Sequence, residues 1–192
     1  MPLNIEEFKR RLDTNLGPTP VNRFEVRFDA PPLSVPRDLS FFVEQAELPG
    51  RSLATQDTKI YGPVRKIPYA SIYVETTLTF ICTNRGMQEK RFFDGWQEII
   101  NPSDSHDVSY YNDVVCDMRV TVFDDFNNKQ YIVNFNEVFP LNVGVINLAQ
   151  NQNSDYARLP VTFAYRNWNI GEDDSVTSSD LASVGSGPEL LT

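Results

Sequence analysis

Residues 71–102 read SIYVETTLTFICTNRGMQEKRFFDGWQEIINP, and the apolar period changes halfway along. In the first half Ile72, Val74, Leu78 and Phe80 share one parity, with Thr76 among them, while Tyr73, Glu75, Thr77 and Thr79 take the other. A period of two marks a strand with one buried face, because successive side chains of an extended backbone point to opposite sides. In the second half Phe92, Phe93, Trp96, Ile99 and Ile100 form a helical stripe that Asn101-Pro102 terminates. A strand followed by such a helix predicts a sheet whose core the helix covers, with Phe92, Phe93 and Trp96 as the packing side chains.

On the N-terminal side, Arg51 to Ala70 is polar and punctuated by Gly62, Pro63 and Pro68. Compact domains seldom keep so long an excursion without a use, so it reads as a contact arm with a short hairpin. Before it, LSFFVEQAELPG predicts a strand closing on Pro49 and Gly50, and NRFEVRF alternates Phe24, Val26 and Phe28 against Arg23, Glu25 and Arg27. The proline cluster APPLSVPRD separates these two strands. Asn4 and Glu7 have capping-box spacing, and Ile5, Phe8 and Leu12 then give a short amphipathic helix.

On the C-terminal side, CDMRVTVFD and KQYIVNFNEVF read as strands of a hairpin joined at DFNN. The stretch VFPLNVGVINL reads as a structural corner, where Pro140 ends a strand, Asn142 and Gly144 accommodate the turn, and Val145 to Leu148 begin the return. ARLPVTFAYRNWNI is the final strand, with Pro160 expected at a strand start or on an edge because it lacks an N–H. About seven strands result. The expected class is mainly β, a two-sheet β-sandwich or split barrel with one flanking α-helix and a short N-terminal helix. Residues 1–170 should form a single β domain, and the acidic, Ser/Gly-rich residues 171–192 a flexible C-terminal tail.

The formal charge of −9 is unevenly placed: residues 171–192 hold five carboxylates and no Lys or Arg, which leaves −4 for residues 1–170. Neither part has the clustered cations that phosphate binding requires. No apolar run approaches the roughly 18 residues that cross a bilayer, and the opening MPLNIEEFKRRL lacks a signal-peptide core, so a cytoplasmic origin is expected. Cys82 and Cys116 read as reduced thiols.

Chemistry is hard to place. His106 stands alone in SDSHDVS, and hydrolytic triads are assembled from separated segments rather than from neighbours on one loop. Asp124 and Asp125 sit in a turn without the regular oxygen ligands calcium needs. Phosphate loops, H-E-x-x-H and G-x-S-x-G are missing, so no enzyme activity, metal or cofactor is expected. A soluble β-barrel that binds a ligand among its aromatics is an alternative. The open edges of a small sheet favour self-assembly, because unpaired N–H and C=O groups invite another chain.

SFFVEQAELPG, RFFDGWQEI, NEVFPLNVGVINL and ARLPVTFAYRNW follow one another in the order and spacing of the tail tube protein family of contractile-tailed bacteriophages. The sequence resembles that family over roughly residues 20 to 168. The resemblance implies a structural virion protein related to the type VI secretion tube protein. Its copies would form hexameric rings sharing an inner β-barrel, stacked into a conduit for DNA ejection without specific DNA binding or contact with a membrane. The implied partners are further copies of the chain, the tail sheath, the baseplate and the tail terminator, in a tail assembled in the host cytoplasm. Candidate subunit or ring contacts are Ile5 and Phe8 in the N-terminal segment and Arg51, Lys59, Tyr61, Arg65 and Tyr69 in the arm. The inserted NPSDSHDVSYYND and the acidic tail depart from a minimal tube subunit and keep open a baseplate protein of the same family that starts the tube.

Overall fold

In the computed structural model, which describes residues 4–14, 17–59, 61–150 and 156–171, the extended run at residues 71–83 is divided between two sheets. Strands β1 (Phe24–Asp29) and β2 (Val43–Ala46) come first, followed by β3 (Arg51–Thr58), β4 (Arg65–Tyr73) and β5 (Thr76–Ile81). Later come β6 (Cys116–Phe123), β7 (Lys129–Val143), β8 (Arg158–Ala164) and β9 (Asn167–Ile170). The helices are α1 (Ile5–Thr14), α2 (Gln88–Ile100) and the single turn α3 (Tyr111–Val114). From residue 172 onward the expected flexible tail lies outside the described residues.

The fold is mainly β: a seven-stranded sheet in the order β1-β6-β7-β8-β5-β2, with β9 paired to β7, and a two-stranded sheet of β3 and β4. β5 and β8 are antiparallel, with Leu78 opposite Val161 and Phe80 opposite Leu159. All four side chains are buried, as partners on one face of a sheet should be. Ile72 and Val74 have the parity of Leu78 and Phe80 but are exposed, because the chain leaves one sheet for the other between Tyr73 and Thr76. Periodicity fixes the face of a side chain and not the sheet it belongs to.

Helix α2 supplies the lid. Phe93 packs on Phe80 of β5 with ring centroids 4.8 Å apart and on Phe163 of β8 at 5.8 Å. Trp96 meets Phe28 of β1 edge-on at 6.2 Å, and Phe92 lies against both Phe93 and Trp96. The Trp96 indole donates to the Val114 carbonyl at 2.8 Å, which satisfies its one polar group inside the core. Glu89, buried at the start of α2, accepts the Thr83 amide and hydroxyl at 3.0 Å each, so the carboxylate enters the interior with its hydrogen bonds made.

The corner differs from the sequence expectation. Pro140 does not end a strand: β7 runs fifteen residues, through Pro140 to Val143. Its buried set passes from Val133 and Phe135 to Val138 and Pro140, a change of parity absorbed at Glu137, whose φ is +55°. A second irregularity falls between Pro140 and Asn142, where Leu141 is extruded from the register with β8. Gly144 then donates its N–H to the Pro160 carbonyl at 2.7 Å. A Cβ on Gly144 would lie 2.6 Å from Pro160 Cγ and 2.7 Å from its oxygen, so the close approach requires glycine. Val145 to Leu148 continue outside any strand.

Pro160 is likewise neither first in its strand nor on an edge, since β8 lies between β7 and β5. Its carbonyl faces β7, so its absent N–H faces the place where β7 has already ended, and no ladder bond is lost. Two other expectations change in the same way. LSFFVEQAELPG begins with a 3-10 turn, Leu39–Phe42, before the short β2, and the last strand is split into β8 and β9 at Tyr165-Arg166.

The chain divides into two compact units. The larger, residues 25–120 and 133–169, contains the aromatic core, α2 and the β3–β4 sheet. Among described residues the smaller takes 4–24, 121–132 and 170–171. There Asn4 Oδ1 accepts the Glu6 amide at 3.2 Å at the start of α1, and Glu7 pairs with Arg11 at 2.9 Å. Arg23 donates to Asn127 at 3.0 Å, within the β6–β7 turn.

Two measurements check this packing. Gly144→Ala should lower the unfolding free energy by about 1–3 kcal/mol, the usual cost of overpacking, in urea titrations. Burial pushes the Cys116 thiol up to about 12, so at pH 8 iodoacetamide should label Cys116 only after denaturant is added.

Candidate subunit-contact surface

The residues that could have carried chemistry are occupied with structure. His106 is an exposed loop residue at φ +56°, its amide bonded to the Pro102 carbonyl, and the nearby Ser103 hydroxyl donates to Glu98 at 2.6 Å instead. Those bonds from Ser103 hold the Glu98 carboxyl below the usual range. Asp124 Oδ1 accepts the Phe126 and Asn128 amides at 2.7 and 2.8 Å, closing the β6–β7 turn. Among the described residues, no three His, Cys, Asp or Glu side chains are grouped to hold a metal ion, and no helix is long and apolar enough to cross a membrane. A cleft of about 490 Å³ beside α2 is lined by Asp94, Glu98, Ile100, Phe139 and Leu141. It is open, and its carboxylates are already engaged by Lys90 and Ser103.

The arm is the unusual feature. Arg51–Thr58 and Arg65–Tyr73 pair antiparallel over eight positions, from Arg51 opposite Tyr73 to Thr58 opposite Arg65. The expected short hairpin is therefore long, and Tyr69 is the extra residue where the register shifts beside Ala54 and Thr55. Cross-strand partners share a face, which places Leu53 with Arg51 and Tyr73, and Ile67 with Gln56. Alternation places Ile67 on the face opposite Leu53, and Leu53 is 59% and Ile67 51% exposed. Apolar side chains thus stand on both faces, and among the described residues neither face is covered.

Of the sequence-predicted contact residues, Tyr61 in the connecting turn and Tyr69 at the bulge are 97% and 72% exposed. Lys59 lies in the same turn, Arg65 opens β4, and Arg51 opens β3 at the hairpin's root. The hairpin sets Arg51, Lys59, Arg65 and Lys66 against Asp57 alone, a net +3 within a chain of −9. In the smaller unit, Ile5 and Phe8 of α1 are exposed on one helical edge. The hairpin belongs to the larger unit and α1 to the smaller.

The root contains residues whose partners periodicity does not give. The Tyr165 hydroxyl donates to the Val74 carbonyl, and its ring meets Tyr73 edge-on at 6.3 Å and Phe135 at 5.0 Å. Burial, then the neighbouring Tyr73, pushes the Tyr165 phenol up. The Arg51 guanidinium lies 5.4 Å from the Trp168 ring. In the sequence Tyr165 continues the parity of Leu159, Val161 and Phe163 and Trp168 takes the opposite one, which gives their faces but not their partners.

Residues 19–171 match the family described as phage tail tube protein. The fold resembles a chain in the sheath-tube complex of PVC, an extracellular contractile injection system, in its extended state. That match has a TM-score of 0.62 at 18% identity and covers 84% of this chain and 96% of the other. A chain of the anti-feeding prophage baseplate matches with TM-score 0.61 at 8% identity, over 80% of this chain and 95% of that one. A chain of the PVC sheath/tube terminator gives 0.59 at 17% identity, over 81% and 97%. No curated protein matches the sequence.

Because the hairpin side chains are exposed, Leu53→Ser with Ile67→Ser should leave the unfolding free energy of the free chain within about 0.5 kcal/mol of the parent, measured by urea titration.

Proposed function

Because the chain belongs to the phage tail tube protein family, we propose that its copies form hexameric rings that stack into the inner tube of a contractile tail. The family is structural and non-enzymatic, and membership makes the chain a phage tail component. The observation that carries the finer reading is the β3–β4 hairpin, apolar on both faces and left uncovered by the other described residues. An isolated two-stranded ribbon is marginal in water, so its faces and edges call for cover. A second copy is the occupant that its charge favours, since a hairpin of net +3 complements an otherwise acidic chain.

In this reading Lys59, Tyr61, Arg65 and Tyr69 reach a neighbouring copy directly, Arg51 sets the base of the arm, and Ile5 and Phe8 of α1 provide a second contact. Rings closed by such pairing have no free sheet edges. DNA passes along the bore without specific binding, in keeping with a chain whose net charge repels phosphate. Sheath, baseplate and terminator are the proposed partners, by analogy with the injection-system assemblies in which similar folds occur. Assembly takes place in the host cytoplasm and the product resides in the virion tail.

Electron microscopy of the purified chain at high concentration should show rings or tubes; a strictly monomeric chain under every condition overturns the reading. A single ring that never extends identifies the baseplate initiator instead. Leu53→Asp with Ile67→Asp should abolish rings without unfolding the chain. At about 1 M salt, where the screening length falls to about 3 Å, rings should disperse or form more slowly.

A further inference from the structure

The hairpin leaves the large sheet through a narrow root, and two contacts fasten it there. One joins Tyr165, through its hydroxyl to Val74 and its ring to Tyr73, onto the fully buried Phe135. The other is the Arg51 guanidinium over Trp168 of β9. Beyond the root, described residues 52–72 are exposed apart from Ala54 and Thr58, which are half-buried. Trp168 Nε1 is buried and has no hydrogen-bond partner among the described residues. The contact on the indole is therefore Arg51 over its ring rather than a bond to its N–H, in contrast with Trp96, whose N–H is bonded.

We propose that Arg51 and Trp168 are positioning residues that fix the direction of the hairpin in the free subunit, so that it meets the next copy already ordered. The proposal rests on the assembly reading above. A ribbon fastened at only one side of its root samples many directions, and the freedom lost on docking then opposes association; a second fastening removes that loss in advance. Stacking of a guanidinium on an aromatic face supplies the hold. The unpaired Trp168 N–H gives the proposal its sharpest consequence: phenylalanine keeps a face for Arg51 and forfeits no hydrogen bond, whereas alanine removes the face altogether.

The test combines amide hydrogen exchange of the dilute full chain with assembly kinetics by light scattering. Arg51→Ala and Trp168→Ala should each raise exchange across residues 52–72 by about tenfold, leave β5, β7 and β8 unchanged, and lengthen the assembly lag. Trp168→Phe should behave as the parent in both readouts. Unchanged hairpin exchange in Arg51→Ala, which alters only a surface side chain, overturns the proposal. So does Trp168→Phe matching Trp168→Ala, or a loosened hairpin that assembles at the parent rate. If the parent never assembles, the assembly reading fails and the positioning role falls with it, while the exchange data still report whether the two residues fasten the root.

Discussion

Everything else in the larger unit depends on how α2 seats its aromatic stripe. Phe93 stands between Phe80 and Phe163, and Trp96 is fully enclosed with its indole N–H bonded to Val114. Replacing Trp96 by alanine in such a setting costs about 3–5 kcal/mol, a large part of the stability of an ordinary domain. With that face of the seven-stranded sheet closed by one helix, the core draws no apolar side chain from the hairpin. Leu53 and Ile67 are left for another purpose.

This separation of core from arm is what makes the proposed assembly physically reasonable. A protein that had to bury Leu53, Ile67 and Ile72 to fold would have nothing to offer a neighbour. Here the strand edges and both faces of β3 and β4 remain outside the core, with a basic excess on an acidic chain. In the proposed assembly the free subunit would fold first, and the interface would add burial rather than complete a core. The two aromatic contacts at the root, Tyr165 on Tyr73 and Trp168 under Arg51, join the two functions mechanically.

Much of this was legible in the sequence because it rests on local pattern. The stripe Phe92, Phe93, Trp96 declares its helix, and Leu78 and Phe80 declare their buried strand face. The excursion at residues 51–70 was legible from its length and punctuation, but the pairing of β3 with β4 over eight positions was not. What pattern could not convey was partnership. Ile72 and Val74 share the parity of Leu78, yet they lie where the chain passes to the hairpin, because strand pairing is decided by distant segments. Pro140 looked like a stop, but two irregularities, at Glu137 and Leu141, let β7 carry its apolar set past it. Gly144 was recognisable as a turn residue; the reason for it, contact with Pro160, lies sixteen positions away. Tyr165 continues the parity of Phe163, but its root contacts and those of Trp168 depend on tertiary approach.

The central claim is that the β3–β4 hairpin is the surface by which one copy engages the next. A cryo-electron microscopy reconstruction of the assembled chain tests it most directly. The account predicts residues 51–73 seated against a neighbouring copy, with Leu53 and Ile67 both buried there. A reconstruction in which copies join through other surfaces while the hairpin stands free in solvent would contradict it.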